Sequence, residues 1–176
     1  LYLFFRDVAA GDFVGWLDTQ LAAADQNKGP NRGGRLARSV TEPMANIYGV
    51  SHKVIAMAMS WLMSGGDPAR ERWRTAGSSM IAVDTLVHNW LHRTGILRLL
   101  HADHLYGAAC YQPHGCADLL VQLAKRIDAT EVNSKFPRHF PRFVQRAIWR
   151  FCSQAGLNEC NGNRVNDRNR CHRHDC

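Results

Sequence analysis

The chain has 176 residues, of which 45% are hydrophobic and 21% are charged. This is the composition of a folded globular protein, and it argues against a chain that is disordered throughout. Lysine and arginine outnumber aspartate and glutamate by 22 to 15, and the resulting charge of +7 favours a polyanionic partner.

The apolar runs and the first residues bear on location. Nowhere does an apolar run approach the ~18 residues of a membrane-spanning helix. Residues 1–5 are apolar but lack the basic flank of a secretory signal peptide. We therefore expect a cytoplasmic, intracellular protein with no membrane partner, associated with the nucleoid if it is bacterial. Because the chain does not begin with methionine, we also expect it to be a fragment.

The N-terminal half shows helical periodicity. Asp12 is suited to cap a helix whose apolar face holds Phe13, Trp16, Leu17 and Leu21. Residues 28–34 combine glycine and proline, which predicts a loop. A short helix is predicted from Thr41 to Tyr48, with Pro43 in its first turn.

A second helix follows after a tight turn. Ser51 is suited to cap a helix over residues 52–63, which is apolar nearly all round and is therefore expected to be buried. Residues 41–63 thus predict two helices joined by a hairpin. Residues 64–79 are polar, and no element is predicted there.

The C-terminal half continues the helical pattern. Asp84 or Thr85 is suited to cap a helix over residues 84–95, and a further helix is predicted over 117–128. Between them, residues 101–115 are rich in histidine, glycine and cysteine and predict a loop. After an irregular stretch over 136–141, a last helix is predicted to present one apolar face, formed by Phe143, Val144, Ala147, Ile148 and Phe151.

No segment alternates apolar and polar residues over the length of a strand, so the fold class is predicted to be all-α. A chain of this length suits one domain, and we expect a single domain over 1–176.

The predicted hairpin is the first feature that can carry chemistry. Gly49, Val50, Ser51 and His52 form a turn that leads into a helix N-terminus, where backbone N–H groups attract phosphate oxygens. Lys53 falls in the first helical turn, and the helix dipole there favours its neutral amine, which is a nucleophile. The alternatives are a plain helix connection and a solvated surface lysine.

Asp84 is the second feature. It follows the apolar residues 81–83 and stands at a helix start, where a carboxylate can face a cleft. The alternative is a capping role alone, and the two roles are compatible.

These two segments carry a resemblance. Residues 49–53 and 81–88 resemble the hairpin and aspartate segments of the helix-hairpin-helix DNA glycosylase superfamily, in its endonuclease III-like branch. The resemblance places Lys53 on the family's Schiff-base lysine and Asp84 on its catalytic aspartate. It implies a helical bundle of two lobes flanking a DNA-binding cleft. Ser51 replaces the second hairpin glycine of the family, and residues 65–79 lengthen the connection between the two segments.

The resemblance implies a monomeric enzyme that excises a damaged or modified base from double-stranded DNA, with AP-lyase activity through Lys53. A monofunctional enzyme would instead use Asp84 to activate water, with Lys53 in another role. A non-enzymatic DNA-binding protein that keeps the hairpin is the alternative, and a metal-stabilised interaction protein is a third possibility. Arg142, Arg146 and Arg150 recur every four residues and can contact phosphates, although a solvated charged face is equally consistent with that spacing. Histidines and tryptophans on the helices, His88 among them, are either pocket-lining or core residues.

Six cysteines complete the candidate residues. Cys152, Cys160, Cys171 and Cys176 stand in a basic C-terminal loop over 152–176, where the family carries a [4Fe–4S] cluster, although their spacing differs from the family pattern. Zinc and free thiols are the alternatives there. A second metal site is possible in the loop 101–115 and just after it, on His104, Cys110, His114 and Cys116.

Overall fold

The computed structural model describes residues 1–27, 29–67 and 69–159. These residues form helices, turns and loops without a β-strand, which confirms the predicted all-α class. The chain divides into two compact units, an N-terminal unit, Leu1–Met80, and a C-terminal unit, Ile81–Cys176. Among the helices so described, none is long and apolar enough to cross a membrane.

The N-terminal unit is a small helical bundle. A π-helical turn, Phe4–Val8, precedes four helices: α1 (Phe13–Asp25), α2 (Arg32–Ala45), α3 (His52–Gly65) and α4 (Glu71–Ser79). Helix α4 packs against both α2 and α3, and α1 packs against α2. The centre of the unit is filled by fully buried aliphatic side chains, namely Leu17, Leu21, Leu36, Val40, Ile55 and Met63.

The first hairpin helix is longer than predicted. Helix α2 begins at Arg32, so part of the predicted loop is helical and Pro43 lies near the end of the helix instead of in its first turn. Asn31 caps it by accepting a hydrogen bond from the Gly34 N–H at 3.1 Å. A Cβ atom on Gly33 would overlap Ser79 Oγ of α4. The glycines that predicted a loop therefore allow α2 to lie close to α4.

Helix α4 lies in the polar stretch for which no element was predicted, and tertiary ion pairs contribute to its position. Arg32 of α2 bridges Asp25 of α1 at 2.6 Å and Glu71 of α4 at 2.7 Å. Arg72 also pairs with Asp25, at 3.0 Å, and the indole N–H of Trp73 donates to Asp18 at 2.6 Å. The contacts of α4 join residues at least 39 positions apart, so they leave no local pattern that is detectable in the sequence.

Helix α3 is not buried all round, and that prediction was wrong. Its inward face buries Ile55, Met59 and Met63, whereas its outer apolar residues are between 44% and 64% exposed. These outer residues are Val54, Met57, Trp61 and Leu62. We call them the outer face of α3. Helices α2 and α4 cover one side of α3, and its outer face stays largely exposed.

The C-terminal unit contains the remaining helices. They are α5 (Thr85–Arg93), α6 (Ile96–Leu99), α7 (Cys116–Ala124) and α8 (Pro141–Cys152), with 3₁₀ turns at Ala108–Tyr111 and Ala129–Glu131. Helix α8 packs against α5 and α7 around a buried apolar cluster. Members of that cluster include Val83, Val87, Leu91, Leu97, Leu120 and Ile148.

Two predicted details of this unit were wrong. Cys152 is the last residue of α8 and is buried beside Leu86, so it does not belong to a C-terminal loop. Ala147 is exposed, and Gln145 takes a buried position on α8 in its place.

Asp25→Asn tests the ion-pair network of the N-terminal unit. Hydrogen bonds from Arg32 and then Arg72 hold the pKa of Asp25 well below its usual range. A depressed folded-state pKa stabilises the fold above the unfolded value of about 3.9, and this stabilisation is lost as the pH falls through the folded value. We expect Asp25→Asn to lower the melting temperature at pH 7, and the difference to narrow below about pH 4.

Circular dichroism melts over a pH series measure this difference. Asp7→Asn is the control, because Asp7 pairs with Arg6 on the exposed surface and its loss should change little. A deficit for Asp25→Asn that stays constant down to low pH would contradict the role given to the carboxylate.

Candidate functional site

The hairpin forms as two helices joined by a short turn. Helix α2 ends at Ala45, and Gly49 adopts a left-handed conformation, with φ of +78°, in the turn before α3. Glycine takes this conformation without steric cost. The Ser51 hydroxyl caps α3 by accepting a hydrogen bond from the Val54 N–H at 3.4 Å. The hairpin therefore spans α2 to α3, Arg32 to Gly65, and not 41–63 as predicted.

The predicted phosphate-binding residues of the hairpin lie at the surface. Gly49, Ser51 and His52 are exposed, and Val50 is half-buried. The first-turn N–H groups of a helix have no carbonyl partner within that helix, so a hairpin turn of this kind presents donors to an anion. Lys53 is the second residue of α3 and is half-buried, so it lies in the same first turn as these donors.

Asp84 caps α5 from its N-terminus. Its carboxylate accepts a hydrogen bond from the Val87 N–H at 3.0 Å, so α5 proper runs over Thr85–Arg93 and not over 84–95. The side chain is half-buried. Its charge contributes to a raised pKa at Tyr106, second to burial of that phenol. Asp84 belongs to the C-terminal unit, whereas Lys53 belongs to the N-terminal unit.

Tyr111 holds the backbone that leads into Asp84. Its hydroxyl accepts a hydrogen bond from the Val83 N–H at 3.0 Å and lies 3.3 Å from the Val83 carbonyl oxygen. Burial raises the pKa of Tyr111 to about 12, so the hydroxyl keeps its proton at neutral pH and can donate to that carbonyl. The residue before Asp84 is thus tied to the 3₁₀ turn that contains Tyr111.

The three arginines of α8 are not equivalent. Arg146 and Arg150 are exposed, as a phosphate-binding ridge requires. Arg142 is half-buried, its guanidinium donates to the Gln145 side chain, and burial lowers its pKa. Arg142 is therefore engaged within the unit and differs from its two neighbours along the helix.

The predicted C-terminal metal ligands are described only in part. Cys152 is buried in α8 as its last residue. Cys160, Cys171 and Cys176 lie outside the described residues. A cluster held by these four residues stays a prediction.

A group of four metal-binding side chains lies in the C-terminal unit. The ligand atoms of His88, His104, Cys110 and Cys116 all lie within 4.8 Å of one another, so the group can hold a metal ion. Nδ1 of His88 is 3.3 Å from Cys116 Sγ and 3.6 Å from Cys110 Sγ. Nε2 of His104 is 3.3 Å from Cys116 Sγ. His88 and both cysteines are buried, and His104 is half-buried.

Three of the four residues named for the second site meet here, but His114 is not among them. Its side chain is exposed, and its place is taken by His88 from the buried side of α5. The prediction considered only residues that are close together in sequence, in the loop 101–115 and just after it. His88 lies outside that stretch, so it was missed. The sequence signal that could have identified His88 as a ligand is its position on a helix next to a Cys/His-rich loop. Taken alone, a histidine on a helix indicates a core residue.

The two thiols of this group influence each other. A hydrogen bond from Cys116, followed by bonds from His88 and the Gly107 N–H, holds the pKa of Cys110 below its usual value. The pKa of Cys116 is raised, because its thiol donates to Cys110 and a second anion beside that thiolate is unfavourable.

Gly115 brings the two cysteines together. Its φ is an ordinary −75°. A Cβ atom on it would overlap the Ala109 carbonyl oxygen and lie 2.9 Å from the backbone of Cys110. The absence of a side chain lets the start of α7, with Cys116, approach the 3₁₀ turn that contains Cys110.

Comparison of the chain with protein-family models, with characterised proteins and with solved structures finds no match.

Gly115→Ala tests the close approach of these two segments. We expect it to destabilise the protein by about 1–3 kcal/mol, the usual range for an overpacked site, because backbone atoms cannot move aside as a flexible side chain can. Urea denaturation followed by circular dichroism measures the change.

Gly65→Ala is the control for this prediction. Gly65 ends α3, and a Cβ atom added there would meet open space, so alanine should be neutral or slightly stabilising at this position. Equal stabilities for the two alanine variants would show that the backbone around Gly115 adapts freely.

Proposed function

We propose that this protein is a helix-hairpin-helix DNA glycosylase that excises a damaged or modified base, with AP-lyase activity through Lys53. The observation that carries the proposal is the hairpin itself. A left-handed glycine leads into a helix capped by Ser51, with Lys53 in the first turn. The proposal includes a glycosylase-like bundle fold, monomeric action and an intracellular location.

The chemistry needs an amine and a carboxylate. The neutral amine of Lys53 attacks C1′ of the deoxyribose, and the C1′–N bond to the base breaks as the new C–N bond forms. The base leaves with that electron pair and takes up a proton. The nitrogen then loses a proton and forms a C=N bond to C1′ as the C1′–O4′ bond of the sugar ring breaks and O4′ takes up a proton. The resulting imine acidifies C2′, so that loss of a C2′ proton expels the 3′ phosphate and cleaves the strand. To reach such a site, the base must leave the duplex stack.

Asp84 is proposed to stabilise positive charge on the sugar as the base leaves. Its carboxylate is fixed in direction by the Val87 N–H, and it is half-buried, so part of its surface remains available. A charge oriented in advance stabilises a transition state without the cost of reorganisation.

Double-stranded DNA is the proposed partner. The net charge of +7, the exposed Arg146 and Arg150 and the exposed residues of the hairpin all favour contact with phosphates. Within the same proposal, Cys152, Cys160, Cys171 and Cys176 hold the [4Fe–4S] cluster of the family, or zinc, and order the basic C-terminal residues toward DNA.

Lys53→Ala tests the nucleophile. We expect it to abolish the covalent complex that borohydride traps between the protein and a duplex with a damaged base, since no amine remains to form the imine. Duplex binding should stay within about tenfold, because the backbone donors of the hairpin are unchanged.

Incubation with a panel of damaged and modified duplexes under borohydride, resolved on denaturing gels, measures the trapping. Lys125→Ala is the control, because Lys125 is an exposed lysine of the C-terminal unit without a proposed role. Full trapping by Lys53→Ala would remove Lys53 from the mechanism. Duplex binding without trapping by any form of the chain would favour the non-enzymatic alternative.

Asp84→Asn tests the carboxylate. Asparagine caps helices as well as aspartate does, so α5 should remain folded. We expect base excision to fall by at least ~10²-fold, the usual scale for a positioned acid, base or electrostatic group.

Asp12→Asn is a matched control, since Asp12 caps α1 through the Gly15 N–H at 2.8 Å and has no proposed part in the chemistry. Single-turnover excision rates of both variants give the comparison. Equal excision rates for Asp84→Asn and Asp12→Asn would show that Asp84 only caps α5 and has no catalytic role.

A further inference from the structure

We propose that His88, His104, Cys110 and Cys116 bind one zinc ion, and that this ion fixes the loop over 101–115 against α5 and α7. The site is separate from the C-terminal cysteines for which a cluster was predicted, and it does not depend on the proposed glycosylase activity.

The distances fit a single tetrahedral ion. Zinc bonds of about 2.3 Å to sulfur and about 2.0 Å to nitrogen place nitrogen and sulfur ligands about 3.5 Å apart around a tetrahedron. The measured separations are 3.3 Å and 3.6 Å from His88 Nδ1 to the two sulfurs, and 3.3 Å from His104 Nε2 to Cys116 Sγ. An iron–sulfur cluster contains several atoms and needs its protein ligands farther apart, so one ion is the better fit.

The donor set fits zinc in both softness and charge. Two imidazole nitrogens and two thiolate sulfurs form a common tetrahedral zinc set. Two thiolates balance the charge of Zn²⁺, so the occupied site is neutral, as a largely buried position requires. Cysteine binds zinc as the thiolate, so acidification opposes binding.

The second ring nitrogen of His104 is already held. Nδ1 lies 2.7 Å from the Ala102 carbonyl oxygen. A carbonyl oxygen only accepts hydrogen bonds, so Nδ1 carries the hydrogen and Nε2 presents its lone pair toward Cys116. A backbone partner on the far nitrogen is typical of a histidine that ligates a metal.

Both cysteines are also positioned by the backbone. Cys116 is the first residue of α7. Gly107 adopts φ of +144°, a conformation that only glycine takes readily, and its carbonyl oxygen accepts a hydrogen bond from the Cys110 N–H at 3.1 Å. Gly107 and the close approach at Gly115 therefore position the backbone that carries the two cysteine ligands.

A zinc ion at this site would also stabilise the backbone beyond its four ligands. Cys110 is adjacent to Tyr111, whose hydroxyl bonds to Val83 immediately before Asp84. Zinc at Cys110 would therefore stabilise the backbone that leads into α5.

Metal analysis tests the proposal on the full chain carrying Cys160→Ser, Cys171→Ser and Cys176→Ser, which removes competing C-terminal ligands. We expect about one zinc ion per chain after purification, and a tetrahedral visible spectrum after replacement by Co²⁺. In this background, Cys116→Ser and His88→Gln should each lower bound zinc at least about tenfold. His114→Gln and His92→Gln are matched controls and should retain it, since neither histidine belongs to the group.

Hydrogen exchange tests the effect on the loop. Removing zinc with a chelator should speed exchange of the Val83 amide, which donates to Tyr111, and leave the amides of α1 to α4 unchanged. The proposal fails if the chain binds neither Zn²⁺ nor Co²⁺, if it holds iron with sulfide at these residues, or if Cys110 and Cys116 form a disulfide after purification under reducing conditions. Zinc retained by His88→Gln and Cys116→Ser, or a Val83 amide indifferent to the chelator, also overturns it.

Discussion

The C-terminal unit depends on the contact of two imidazoles and two cysteine sulfurs at one place, where His88, Cys110 and Cys116 are buried and His104 is half-buried. Cys110 and Cys116 belong to the same apolar cluster as Val87 and Leu120, so polar atoms lie where aliphatic packing would otherwise be continuous. Buried polar groups are costly unless they are satisfied, and these four are satisfied chiefly by one another. Ala102 and Cys110 of the loop over 101–115 are buried in that cluster and Tyr111 packs against it, so the contact among polar atoms acts together with hydrophobic packing.

The residues proposed for chemistry are held at helix starts in both units. Ser51 fixes the beginning of α3 one residue before His52, and the Asp84 carboxylate itself fixes the beginning of α5. A side chain at a helix start is oriented by its hydrogen bond to a backbone N–H. It can stay accessible there, because no further turn of that helix packs over it. Capping and catalytic roles can therefore coincide in one aspartate.

Local patterns predicted α1, α3 and α5, which have side-chain caps, and α7 and α8, whose apolar residues recur at helical spacing. Helices α2 and α4 were misplaced or missed because their stability comes from contacts between distant segments, such as Arg32 with Glu71 and Gly33 beside Ser79. The four metal-binding residues also divide into those that a local sequence pattern identifies and one that only the fold brings in. Three of its residues are neighbours in one stretch of sequence, whereas His88 joins them only through the packing of α5, and no spacing rule links it to Cys116.

The outer face of α3 affects how this protein behaves in solution. An exposed apolar surface that includes Trp61 and Leu62 gives fluorescent dyes a place to bind while every helix is still folded. A high dye signal at the start of a thermal scan is therefore a property of the native chain and not a sign of damage. The same exposed apolar residues can also mediate self-association as the protein concentration rises. An increase in protein concentration or ionic strength would therefore increase light scattering before it changes the helical content.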